Sequence, residues 1–158
     1  ILENPEFLQK CIKEREYGLM ECLKRIHYNE DKPENMNIKK VNKKDDFVDI
    51  YDGNKWKLRM IDFAYSNIMT NLEKIFTDYI DNLVESEEWN SVKRNVRGFC
   101  NTVSSVLDWE FDNITRDHEV PETDMRKMQQ KMKKLVSETL YRETLDQDND
   151  ESIPSTSE

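Results

Sequence analysis

Residues 47–60 read FVDIYDGNKWKLRM, two short runs of aromatic and branched residues joined by Gly53 and Asn54. Such a pair between such runs indicates a tight β-hairpin. The turn needs positive φ at central positions, which glycine and asparagine tolerate and branched residues do not. The chain has only three glycines, so one placed here marks a backbone requirement. In the returning run Trp56, Leu58 and Met60 alternate with Lys55, Lys57 and Arg59. The alternation predicts one buried face, anchored by Trp56, and one face carrying three cations. An isolated hairpin is marginal in water, so this one is expected to lean on helices to either side.

Upstream of the hairpin, residues 28–46 are polar and rich in breakers, which predicts a loop with a short strand near residues 36–41. Before it, Asn4 and Pro5 form a helix start, a capping side chain followed by a residue whose missing N–H costs nothing at the first helical position. Apolar residues then recur at helical spacing to residue 28, with Gly18 expected to separate two short helices or kink one. Downstream the chain reads as three helices. Ile61 to Tyr79, Trp89 to Val106 and Met125 to Thr139 each place apolar residues alternately three and four apart. The fold class that follows is mainly α with a small β-hairpin. A helix-loop-hairpin unit over residues 1–60 is followed by a three-helix antiparallel bundle over 61–145 and an acidic, disordered tail over 146–158.

Composition narrows the function classes. Charged residues make up 36% of the 158 and hydrophobic ones 36%, so a core requires amphipathic elements that spend each apolar side chain on one face. The net charge of -9 is unevenly spread: the first sixty residues carry thirteen basic against twelve acidic side chains, and the excess acidity follows them. A uniformly basic nucleic-acid surface is excluded, while a local patch is not. Three cysteines without a CxxC pair argue for buried free thiols in a reducing compartment. The ILENPEF start has no signal-peptide pattern, and no apolar run approaches the roughly 20 residues of a spanning helix. The expectation is an intracellular protein without a membrane association.

Motifs for chemistry are sparse. Two histidines and no cysteine pair at ligand spacing leave no metal site, and no cofactor is expected. The sequence has no nucleophile elbow, phosphate loop or dinucleotide fingerprint, so no catalytic residue is assigned and the chain is read as non-enzymatic. The clearest local signal is positive charge. Lys39, Lys40, Lys43 and Lys44 in the loop, with Lys55, Lys57 and Arg59 on the hairpin, form a candidate phosphate-binding patch, interleaved with Asp45, Asp46, Asp49 and Asp52. Charge runs of this kind are also ordinary solvated surface.

Across residues 26–56 the chain has an H-x-N, a P-E-N-x-N and a YDG-x-x-W pattern, carried by His27, Asn29, Pro33, Glu34, Asn35, Asn37, Tyr51, Asp52, Gly53 and Trp56. The pattern resembles a module recurring in uncharacterised proteins of nucleocytoplasmic large DNA viruses, often downstream of a zinc finger or another DNA-binding domain. Those proteins frequently have a histidine where this chain has Met36, and no zinc finger lies within these 158 residues. The resemblance implies a viral protein of an infected cell's cytoplasm or nucleus, or of the virion, with a link to DNA-associated proteins and no defined activity. Each motif residue also has a structural job in capping, turning or packing; the alternative is a ligand or peptide groove around His27 and Trp56. Three functions follow: a protein-association or oligomerisation module, a DNA-associated regulator using the lysine loop, and a virion component.

Overall fold

The computed structural model describes residues 4–29, 31, 35–107 and 122–156; of the side chains of residues 105, 122–124 and 148–156 nothing is described. Asn4 caps the first helix as its position requires, its Oδ1 accepting the Glu6 and Phe7 N–H groups at 3.0 and 3.3 Å. Helix α1 spans Pro5–Glu14 and α2 Glu16–His27. The break between them lies at Arg15, at φ 60° and ψ -123°, and not at Gly18. Gly18 serves another purpose: a Cβ there would sit 1.8 Å from the Cys11 carbonyl oxygen. Only glycine lets α1 and α2 approach so closely.

Three strands follow: β1 Ile38–Lys39, β2 Phe47–Tyr51 and β3 Trp56–Met60. They form an antiparallel sheet in the order β1-β2-β3, with Ile38 opposite Ile50 and Tyr51 opposite Trp56. The expected turn is present, but only Gly53 takes a positive φ, 100°. Glycine at the first central position supplies the one positive φ of the connection. Asp52 closes the turn, its Oδ1 accepting the N–H groups of Asn54 and Lys55 at 2.9 and 3.0 Å.

Helix α3 (Ile61–Val84) starts directly from β3. A four-residue turn leads to α4 (Trp89–Leu107). Phe76 and Phe99, at similar distances from that turn, meet at 5.0 Å, so the two helices run antiparallel. Helix α5 spans Glu122–Thr156. Its backbone is therefore helical through most of the segment expected to be a disordered tail. Once a packed stretch has nucleated a helix, each further residue adds a hydrogen bond at little cost. The expected α4–α5 loop, with Pro121 and His118, lies outside the described residues.

One contiguous core joins all five helices and the sheet. Leu8, Cys11 and Leu23 from the first helices share it with Leu72 and Phe76 of α3, Val96 and Phe99 of α4, and Met132, Val136 and Leu140 of α5. The three long helices α3, α4 and α5 pack on one another, and α1, α2 and the sheet complete the same core. Lys131 of α5 pairs with Glu16 at the start of α2 at 3.1 Å. Thirteen residues later, Thr144 receives the Lys40 N–H, while Tyr28, just past the end of α2, donates to the Ile38 carbonyl. Helices α2 and α5 therefore run parallel, with β1 clamped across their ends.

Candidate functional site

The register decides which side chains share each face of the sheet. Phe47 pairs with Met60, Asp49 with Leu58 and Tyr51 with Trp56, while Val48 and Ile50 oppose Arg59 and Lys57. Val48 is buried, as is Ile38 beside Ile50, so their side faces the core. The other side faces outward. Leu58 is 60% exposed, Met60 52%, Trp56 40%, Phe47 39% and Tyr51 37%. The expectation that Trp56, Leu58 and Met60 are buried is thereby reversed. The apolar side of β3 looks away from the helices, and its cationic side is the one turned toward them.

The outer face is ordered. Tyr51 and Trp56 meet edge to face at 5.3 Å. Lys39, opposite Asp49, places its ammonium 4.7 Å from the Trp56 ring centre, a cation–π contact that draws one loop lysine onto the sheet. On the opposite side of β3, Lys57 reaches the Asp52 carboxylate at the turn at 2.8 Å. This ammonium and the turn N–H groups hold the Asp52 carboxyl well below the usual carboxylate range.

Strand β3 is also an edge strand. The Asp52 N–H donates to the Lys55 carbonyl and the Ile61 N–H to the Asp46 carbonyl. Alternation of an antiparallel ladder then gives residues 57 and 59 to β2 and turns the backbone groups of Trp56, Leu58 and Met60 outward. Among the described residues no other strand takes them. The Arg59 guanidinium bends back to the Leu58 carbonyl at 3.4 Å.

The opposite side of the sheet is closed differently. The Phe47 carbonyl points past the end of the two-residue β1, where the Lys40 ammonium donates to it at 3.0 Å and to the Asp45 carbonyl at 2.7 Å. Lys40 has no exposed surface at all. It is a buried strap across the loop, so its assignment to a phosphate-binding patch is corrected. The remaining candidates also disperse. Lys43 faces α5, lining a cavity of about 360 Å³ with Lys133, Lys134, Asp46, Asp62 and Glu138. Lys44, Lys55 and Arg59 are exposed.

The motif residues divide in the same way. His27 is buried at the end of α2, its Nδ1 3.1 Å from the Asn35 carbonyl and 3.2 Å from the Asn37 Oδ1. Two acceptors require that Nδ1 carry the proton. Asn29 Oδ1 accepts the Asp31 N–H. Pro33 and Glu34 lie outside the described residues. Tyr51, Asp52, Gly53 and Trp56 form the hairpin end of the outer face. The structure thus places His27 in the interior and Trp56 on the outer face.

All three thiols are buried. Burial pushes the Cys11 and Cys100 thiols up to about 12 and Cys22 higher still. Among the described residues no cluster of three His, Cys, Asp or Glu side chains is positioned to hold a metal, and no helix is long and apolar enough to cross a membrane. The residue that sequence reasoning missed is Phe47; Tyr51 entered only as a motif residue, and Trp56, Leu58 and Met60 were assigned to the wrong side. Asp49 was the available signal, since the hairpin register puts it on the face of Trp56 and Leu58, where burial would leave a carboxylate without water. Comparison with protein-family models, with curated proteins and with solved structures finds no match to this chain.

Proposed function

We propose that this chain is a non-enzymatic protein-association module that docks a partner protein on the outer face of its sheet. One observation carries the reading: Phe47, Tyr51, Trp56, Leu58 and Met60 gather on a single exposed face while the sheet's other side supplies the core. Exposed apolar residues scattered singly need no explanation, whereas five on one small sheet mark an interaction surface. Aromatic and methionine side chains are also those enriched at protein interfaces. The raised thiols favour a binding role over nucleophilic catalysis. The resemblance to the giant-virus module adds a setting for this role, an infected cell or a virion.

The DNA-associated reading has less support, because Lys40 is enclosed, Lys57 is paired with Asp52 and Lys43 lies toward α5. The test is comparative capture from virus-infected cells with wild type, Trp56→Ser and Leu58→Ser, each checked for folding by circular dichroism. A partner retained by wild type and lost by both variants is the expected outcome. A partner retained equally by all three refutes the role of the face. Salt-dependent binding of a DNA oligonucleotide, abolished by neutralising Lys39, Lys43 and Lys44, would transfer the function to the loop.

A further inference from the structure

Resting on that reading of the face, we infer that the partner joins as an added β-strand along β3, through an extended segment that alternates apolar and acidic residues. The outward N–H and C=O groups of an edge strand form a template for another chain. In β3 they belong to Trp56, Leu58 and Met60, whose side chains also make the exposed apolar face. A strand laid alongside β3 would extend both at once, pairing its backbone with these residues and placing every second side chain beside them.

The intervening side chains of β3 are Lys57 and Arg59, with Lys55 at the turn. In antiparallel addition, residues opposite 57 and 59 fall in the non-hydrogen-bonded pairs, where Cα atoms approach to about 4.5 Å and like charges repel. A second copy of this chain, paired symmetrically about Leu58, would set Lys57 against Arg59 twice. An acidic segment instead places carboxylates there, one beside Arg59 and one beside the Lys57 ammonium, which it would share with Asp52. Its N–H would also take over the Leu58 carbonyl, releasing the Arg59 guanidinium to a carboxylate, a better acceptor. On the other side of the sheet the Lys40 ammonium takes the Phe47 carbonyl, Tyr28 the Ile38 carbonyl and Thr144 the Lys40 N–H, leaving β3 as the side open for addition.

The test uses the whole chain and a fluorescein-labelled peptide of alternating valine and glutamate, with a valine–lysine peptide and a backbone N-methylated valine–glutamate peptide as comparisons. The valine–glutamate peptide should bind about ten-fold more tightly than the lysine peptide in fluorescence anisotropy. N-methylation should remove binding. Met60→Pro probes the same edge from the protein side. Met60 already has φ -66° and ψ 144°, which proline adopts, and its N–H belongs to the open edge, so the fold is retained; read against Met60→Ala, which removes the same side chain, the variant isolates the loss of one donor. Binding should weaken about five-fold or more.

Equal binding of the lysine peptide overturns the charge argument. Binding unaffected by both Met60→Pro and N-methylation overturns strand addition while leaving the docking face intact; loss with Trp56→Ser alone would then support the face by itself. A concentration-dependent dimer abolished by Met60→Pro overturns the acidic partner in favour of a second copy. Preferential binding of single-stranded oligothymidylate to the same face assigns the aromatics to base stacking and overturns the proposal.

Discussion

Replacing Lys40 with methionine preserves an unbranched stem and removes only the ammonium. That group has three hydrogens and meets three acceptors: the Asp45 carbonyl at 2.7 Å, the Phe47 carbonyl at 3.0 Å and the Asp45 carboxylate at 3.4 Å. The carboxylate is partly exposed, so water can replace its partner. The two carbonyls lose a charged donor in a place closed around the stem. Hydrogen bonds to charged groups contribute about 1.5–3 kcal/mol each, so the gross loss is about 3–6 kcal/mol. Relief of the ammonium's burial offsets part of it, leaving a destabilisation of about 2–4 kcal/mol. In urea unfolding followed by circular dichroism, this lowers the midpoint by about 1–2 M at a typical slope. Lys40→Ala should cost more, because the stem's volume is lost too. Asp45→Asn should cost less than about 1 kcal/mol, since an amide oxygen still accepts the Phe47 N–H now bound at 3.1 Å. A Lys40→Met midpoint within about 0.5 kcal/mol of wild type, the range of an ordinary surface change, would refute the strap.

Gly18→Ala should destabilise the fold by about 3 kcal/mol or more, because the new methyl collides with the Cys11 backbone and separates α1 from α2; the same urea midpoint measures it. Arg15→Gly should instead stabilise by about 1 kcal/mol, relieving the strain at φ 60° against the loss of the guanidinium that covers Gly98; a midpoint lowered by that amount would show the side-chain contact to dominate. Burial holds the His27 imidazole below its ordinary value of 6.5, so the folded state takes up fewer protons than the unfolded one. Stability from this group is complete above 6.5 and is lost as pH falls through that value toward the lower folded one. His27→Gln should flatten that part of the profile, and an unchanged pH slope would remove His27 as its source. The three thiols should stay unreactive toward a disulfide reagent at pH 8 in the native protein and react together on unfolding; rapid labelling of any one in the native state contradicts its enclosure.

The helices, the hairpin and even the short strand β1 were legible in the chain, because capping, apolar spacing and a Gly-Asn pair are local signals. The direction of the sheet was not. Alternation in β3 identifies its two faces without saying which one meets the helices, and β2 has apolar residues on both, Val48 and Ile50 on one side, Phe47 and Tyr51 on the other. The breaker rule misplaced the first helix break for a related reason. Gly18 answers to a tertiary crossing, whereas Arg15 bears the strained backbone a glycine would have signalled. Among the loop lysines, composition cannot separate a buried strap from a solvated charge. Lys40 differs from Lys39 only in where the register points it, since Lys39 pairs with Asp49 and Lys40 follows the end of β1.

The parallel run of α2 and α5 has a consequence for how the molecule is built during synthesis. Thr144 holds the Lys40 backbone across 104 residues of chain, and Lys131 meets Glu16 across 115. A ribosome has therefore delivered the first two helices and the whole sheet long before α5, one of the surfaces they rest on, exists. Contacts of such separation form late and slowly. Until α5 emerges, the nascent chain displays an unfinished interior together with an open strand edge, and that interval is when it is most exposed to chaperones, to aggregation and to any partner that arrives early.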